Sequence, residues 1–372
     1  MLNVLQVCSD TNIGGAGKCI LTYLKHCDKK SFNVAVVLPA NSLLKPKVEA
    51  LGFKVIEVSA MADKSLDLSA IKKLLSVFRE FRPHIVHTHG SMSARIAARL
   101  FGAKVVFTRH TVYPPPLGLT KAPGKIVSSI ANNLTADKII AVAEAAKENL
   151  TAIGVSEKKI EIILNGVESM CPISPEDLEK LKSQYGITEG TKSCAIIARL
   201  DEIKGHRYFI EAAQKLKSQN IPAKFFIAGT GPMEASIKKQ ISDLGLQDTV
   251  IMLGFLDNVE PLLNLIDVQC NCSTTEATSL SLLEGMSLSK PAVVSSAGGN
   301  PAVISDGKNG FVTPVGDSEK LAERLKTLFT DSQLYDEMSK ASKEIFNLKF
   351  TSQMYAKSIE NIYFSLGGKQ NG

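Results

Sequence analysis

Tryptophan is absent from the 372 residues, and aromatic residues of all kinds make up only 6%. With no arginine-rich run either, the chain lacks the groups that stack on and clamp nucleic-acid bases. No apolar run approaches the ~20 residues a helix needs to cross a bilayer. The N-terminal MLNVLQVCSD enters a short apolar strand without the basic start of a secretory signal. Seven cysteines is an odd number, at irregular spacings. The one close pair, Cys270 and Cys272, has no second cluster to complete a zinc site, so no metal centre is expected. Buried, reduced thiols in a cytoplasmic protein are the expectation.

What is present describes a folded chain. The hydrophobic content is 44% and the charged content 22%, and 372 residues divide naturally into two domains. Charge is unevenly shared. Residues 1–170 hold 22 Lys and Arg against 13 Asp and Glu, a surplus of 9, while the remainder holds 21 against 24. A basic first half beside a mildly acidic second half points to an anionic partner for the first, either a phosphate-bearing substrate or the inner face of a membrane.

Short β-branched apolar runs alternate with stretches of helical period: LNVLQVC, FNVAVVL, KVIEV, HIVHTH, KVVFTR and KIIAVA, then, after the turn-rich ILNGVESMCPISPEDL, KSCAIIARL, AKFFIAG, TVIMLG, DVQCNCS, PAVVSS and GFVTPV. Near-continuous apolar strands separated by helices imply parallel sheets covered on both faces. The expected architecture is α/β, with two doubly wound, Rossmann-like domains at 1–168 and 169–350. A C-terminal helix within 351–372 is expected to cross back to the first domain. In such sheets ligands gather beyond the carboxyl ends of strands.

Several polar motifs fall at those ends. TNIGGAGKCIL follows the first strand but fits neither phosphate-binding fingerprint. Asn12 stands where a P-loop needs its first Gly, Cys19 replaces the hydroxyl, and Ile20 takes the last Gly of the dinucleotide pattern. A Gly14–Gly15 turn at a helix N-terminus remains. Arg199 leaves a strand in IIARLDEIKGH, with Lys204 at the start of the next helix. A planar fork and a point charge there suit a diphosphate, unless Asp201 and Glu202 absorb them in exposed ion pairs. Gly229 and Gly231 end the strand of IAGTGP. His89, at the end of HIVHTHG, is placed to reach a cleft, and His110 ends the next strand.

STTEATSLSLLEGM carries Glu276 and Glu284 eight residues apart. On one helix the two would lie about 80° apart. A loop position for Glu276 and a helical one for Glu284 brings both toward one spot. Ser273-x-x-Glu276 and Ser281-x-x-Glu284 also match the capping box, and the stretch alone leaves both readings open.

Together these motifs resemble glycosyltransferase family 4, of the bacterial polysaccharide and glycolipid type, with the GT-B fold of two Rossmann-like domains facing each other across a cleft. The resemblance runs through GGAGKCILTYLKHC, PHIVHTHG, ILNGVE, ARLDEIKG, IAGTGP, IDVQCNCS, the Glu-x7-Glu of EATSLSLLE, and GGNPAVISDGKNGFVTPVGD. It implies a retaining transfer of a hexose or N-acetylhexosamine from a nucleotide-diphosphate sugar, UDP-sugar first, to a glycan or lipid-linked acceptor, without metal or other cofactor. A sugar-nucleotide epimerase, a phosphorylase or a non-catalytic binding protein would share the fold. By resemblance, Arg199 and Lys204 bind the diphosphate, Glu276 faces the donor sugar, Glu284 holds the ribose, and backbone at Ser279 and Leu280 meets the phosphates. Gly229 lines the donor site, Gly15 closes on the diphosphate, and His89 sits near sugar and acceptor. One departure stands out: Ala277 occupies a position where many members of the family carry Gly.

Overall fold

A computed structural model of the chain describes residues 1–59, 61–62 and 65–367. The last five residues of the 351–372 segment therefore lie outside the described residues. The chain passes from one compact unit to the other between Gly166 and Val167, and returns between Thr351 and Ser352.

The first unit is built on seven parallel strands, β1 (Leu2–Cys8), β2 (Phe32–Leu38), β3 (Lys54–Glu57), β4 (Ile85–His89), β5 (Lys104–Arg109), β6 (Lys138–Ala141) and β7 (Ile160–Ile162), in the order β3-β2-β1-β4-β5-β6-β7. Continuous Val and Ile runs are stable here because helices cover both sides. On one face the helices Gly15–His26 and Ser352–Gly367 pack Tyr23, Tyr355, Ile359 and Tyr363 against Val4, Ile85 and Val106. On the opposite pleat of β5, Phe107 lies under the Arg95 guanidinium of the helix Met92–Phe101.

The second unit has six parallel strands, β8 (Lys192–Ile197), β9 (Ala223–Ala228), β10 (Val250–Gly254), β11 (Val268–Asn271), β12 (Ala292–Ser295) and β13 (Gly310–Thr313), ordered β10-β9-β8-β11-β12-β13. Its core joins Phe225 and Ile227 to Phe209, Ile210 and Leu216 of the helix His206–Ser218, with Phe209 and Phe225 edge to face at 5.0 Å. The turn-rich stretch after residue 163 contains a helix as well, Pro175–Gln184, opened by Ser174, whose hydroxyl accepts from the Asp177 N–H.

Each sheet reverses its winding once, between β1 and β4 in the first unit and between β8 and β11 in the second. At such a reversal the outgoing loops part and leave a crevice at the carboxyl edge. Arg199 and Lys204 follow β8, and Glu276 follows β11.

Candidate active site

The loops after β8 and β11 are locked together by backbone. The Thr274 N–H donates to the Ile203 carbonyl at 2.8 Å. Gly205 turns at φ +67°, and a Cβ there would lie 2.0 Å from the Cys272 carbonyl oxygen, so only glycine lets the two loops approach this closely. The short 3-10 turn Glu202–Lys204 is thereby pressed against the end of β11, which delivers Lys204 to Glu276. Lys204 Nζ stands 2.8 Å from Glu276 Oε2, with side-chain exposures of 20% and 10%.

Asn271 Nδ2 at 3.1 Å and Ser273 Oγ at 3.0 Å donate to the same oxygen. Three donors converge on Oε2, and none of the three reaches Oε1. Burial pushes the Glu276 carboxyl up, but the Lys204 ammonium and the two neutral donors outweigh it and hold the pKa below the ordinary carboxylate value. A third loop supports the group. Gly298, at φ +50°, would place a Cβ 1.9 Å from the Glu276 carbonyl oxygen, and the Gly299 N–H donates to that oxygen at 2.9 Å. Asn300 Nδ2 donates to the Ser295 carbonyl at 3.0 Å and reaches Asn271 Oδ1 at 3.4 Å.

The capping boxes are not formed. The nearest following helix runs Leu280–Ser287, its N-cap is Ser279, and Ser279 makes no side-chain cap bond. Ser273 spends its hydroxyl on Glu276, and Ser281 Oγ donates instead to the Ile197 carbonyl at 3.0 Å, tying the helix start to the end of β8. The backbone N–H groups at Ser279 and Leu280 thus open the helix near the end of β8 without a side-chain cap, as the N-terminus of an anion-binding helix does. Glu284 lies one turn into that helix, half-buried. Ala277 is outside the left-handed region, whose non-glycine members among the described residues are Asn41, Arg82, Asn220 and Ser289. Alanine there meets no conformational obstacle.

Arg199 is 69% exposed along its side chain and ion-paired with Asp201, the partner weighed for it from sequence. Lys204 pairs with Glu276 and not with Asp201 or Glu202. Gly229 has a packing reason of its own: at φ +143° a Cβ would lie 2.0 Å from the Ala198 carbonyl, immediately before Arg199.

In the first unit, Gly15 begins the helix Gly15–His26, and a Cβ on it would meet nothing within 4 Å. His89 ends β4, is 6% exposed, and has both ring nitrogens occupied, Nδ1 by His110 Nε2 and Nε2 by Gln6 Oε1, each at 2.8 Å. Burial first, then the neighbouring imidazoles, depresses its pKa well below the usual histidine value, so it is neutral.

Asn271, Asn300 and Gln6 were not singled out from sequence, because single amides carry no spacing signal. Among the described residues no group of three or more His, Cys, Asp or Glu is arranged to hold a metal ion. None of the described cysteines forms a disulfide, and Cys270 and Cys272 are buried. None of the described helices is long and apolar enough to cross a membrane.

Comparison with known proteins places both halves of the chain. Residues 13–169 match the family model described as Glycosyltransferase Family 4, and residues 177–345 the one described as Glycosyl transferases group 1. N-acetyl-alpha-D-glucosaminyl L-malate synthase of Bacillus anthracis is 26% identical over 306 residues, covering 81% of this chain and 79% of that protein. The UDP-Gal:alpha-D-GlcNAc-diphosphoundecaprenol alpha-1,3-galactosyltransferase of Escherichia coli is 27% identical over 315 residues, covering 81% and 80%. Among solved structures, that of Anabaena Alr3699/HepE in complex with UDP has a TM-score of 0.86 at 23% identity, covering 98% of this chain and 100% of that one. At that identity the likeness is one of fold.

Proposed function

The chain belongs to glycosyltransferase family 4, an enzyme family with the GT-B fold of two Rossmann-like domains, and from that premise we propose a metal-free, retaining transfer of a hexose or N-acetylhexosamine from a UDP-sugar to a glycan or lipid-linked acceptor. The observation that carries the proposal is the contact of Lys204 with Glu276 at the winding reversal of the second sheet, where Arg199 follows β8 and the start of the helix Leu280–Ser287 is tied to the end of that strand. Uridine is supported by the UDP in the Anabaena neighbour and by the UDP-galactose in the name of the E. coli relative.

The chemistry follows from charge. As the anomeric carbon–oxygen bond breaks, its electron pair leaves with the diphosphate, and positive charge develops on the sugar carbon. Lys204 and Arg199 are the cations available to the departing diphosphate, joined by the helix N–H groups. The acceptor oxygen bonds to the anomeric carbon from the same face, and its proton passes to a diphosphate oxygen. Glu276, ionised and clamped through Oε2, offers Oε1 to sugar hydroxyls, while Glu284 takes the ribose. His89, neutral, belongs to the acceptor side.

The test is turnover of a panel of nucleotide sugars by the purified protein, with and without candidate acceptors, and anomeric analysis of the product. Acceptor-dependent release of UDP with the donor's configuration kept is the expected result. An inverted product refutes the mechanism, and release of free sugar alone, unaltered by any acceptor, refutes the transfer.

We also propose that the first unit docks peripherally on an anionic cytoplasmic membrane face. The helix Gly124–Thr135 supports this because it is turned inside out. Its buried residues are Ser128 and Asn132, and Asn132 Oδ1 accepts from the Arg95 guanidinium at 3.0 Å. Its apolar stripe faces outward, with Ile126, Val127, Ile130 and Leu134 all exposed and Leu117 before them. Single exposed apolar residues need no explanation, but a contiguous stripe flanked by exposed Lys121 and Lys125 has the character of an interfacial helix. Ile126→Asp with Ile130→Asp should lower co-sedimentation with vesicles containing anionic lipid at least tenfold, since each buried isoleucine is worth roughly 1.5–3 kcal/mol. Unchanged co-sedimentation would remove the stripe from the account.

A further inference from the structure

On the face of the first sheet covered by the helix Ser352–Gly367, six polar side chains form one unbroken chain. His110 Nε2 meets His89 Nδ1 at 2.8 Å, His89 Nε2 meets Gln6 Oε1 at 2.8 Å, and Gln6 Nε2 donates to Tyr363 Oη at 2.7 Å. Tyr363 Oη meets His87 Nδ1 at 2.6 Å, and His87 Nε2 meets Thr108 Oγ1 at 2.6 Å. His89, His87, Gln6, Thr108 and Tyr363 are all buried.

The proton positions are not independent. A neutral imidazole has one donor and one acceptor nitrogen. The Gln6 carbonyl oxygen only accepts, so His89 Nε2 carries the proton and Nδ1 is bare. His110 must then donate from Nε2, which leaves its own Nδ1 bare. On the other side the Gln6 amide donates to Tyr363, whose hydroxyl proton goes to His87 Nδ1, and His87 Nε2 donates to Thr108. Every proton points the same way, and a half-turn of the Gln6 amide would reverse them all. Burial keeps the three imidazoles neutral, with the pKa of His87 down to about 3, that of His110 down to about 4, and that of His89 well below the usual value. The chain therefore carries polarity and no charge. Its one partly exposed end is His110, whose Nδ1 has no protein partner among the described residues.

We propose that Tyr363 and Gln6 are positioning residues: the Tyr363 hydroxyl anchors the Gln6 amide through its nitrogen and couples it to His87, and so holds His110 Nδ1 bare, as a hydrogen-bond acceptor for a substrate hydroxyl. This rests on the transferase reading, which gives the first unit the acceptor. The hydroxyl is separable from the packing. The Tyr363 ring stands edge to face against Tyr23 at 5.8 Å and Phe32 at 5.7 Å, contacts that a phenylalanine keeps. Tyr23 supplies the control, because its own buried hydroxyl has no hydrogen-bond partner among the described residues.

The test uses full-length protein labelled with 15N at histidine, in which long-range proton–nitrogen correlations separate bare from protonated ring nitrogens. The expected wild-type result is His110 with bare Nδ1 and protonated Nε2. In Tyr363→Phe the Gln6 amide loses its anchor, so His89 and His110 should show mixed or reversed tautomers. The kcat for transfer should fall at least twofold with KM for the nucleotide sugar unchanged. Tyr23→Phe should alter neither. An unchanged His110 tautomer in Tyr363→Phe overturns the proposal, as does a changed tautomer with full kcat. Failure of the transferase reading would show separately, as wild-type protein that turns over no nucleotide sugar, while the tautomer comparison needs no substrate.

Discussion

Lys204→Ala should reduce transfer by about 10²–10³-fold, the usual consequence of removing one group that meets charge developing in a transition state, and should also destabilise the second unit by about 3 kcal/mol. The second effect has a separate cause. Glu276 is held ionised against burial chiefly by the Lys204 ammonium, and removing one partner of a buried pair leaves the other charge uncompensated. The low end of the range for buried pairs applies because Lys204 keeps 20% exposure. Adding Glu276→Gln to Lys204→Ala removes that stranded charge, so urea unfolding should recover most of the lost stability while turnover stays low. The acid behaviour carries a sign. Because the folded carboxyl titrates below its unfolded value, its contribution is present above the unfolded pKa and disappears as pH falls through the folded one. The wild type should lose this increment on acidification, and the double variant should not have it to lose.

Gly298→Ala should lower turnover about 100-fold without touching any side chain of the site. A methyl at residue 298 would lie 1.9 Å from the Glu276 carbonyl oxygen, so the loop after β11 must shift, taking Glu276 away from Lys204. A displacement near 1 Å at a reacting centre is worth roughly that factor. Left-handed strain at φ +50° adds a stability loss of about 1–3 kcal/mol. Gly307→Ala is the matched control. It too has positive φ, +75°, but its methyl would meet nothing within 4 Å, so about 1–2 kcal/mol of stability should go and turnover should remain. Equal turnover losses in the two variants would show that the close approach to Glu276 has no functional role.

The strands were legible because parallel sheets bury both faces and write themselves as runs of Val, Ile and Leu; FNVAVVL and KVVFTR coincide with β2 and β5 residue for residue. β7 was missed because it is three residues, Ile-Glu-Ile, half exposed at a sheet edge, where apolar content no longer marks a strand. The helix Pro175–Gln184 was hidden among turn formers, although Ser174 followed by Pro175 is the signature of a helix start. At the site, Glu276 and Lys204 were readable as residue types but not as a pair, since 72 residues separate them and only the adjacency of β8 and β11 unites them. Whether Glu276 caps a helix depended on where the next one begins, and it begins at Leu280, with three residues between it and Glu276, which stands outside it. The chain of His110, His89, Gln6, Tyr363, His87 and Thr108 draws on three strands, the residue following one of them and the last helix, so no local pattern announces it.

In the proposed transfer Lys204 meets the diphosphate of the donor. Calorimetric titration of UDP into the wild type and into Lys204→Met, which keeps the aliphatic stem and removes the charge, tests it most directly. Binding by the wild type and at least tenfold weaker binding by the variant are expected. Equal affinities in two equally folded proteins would contradict it.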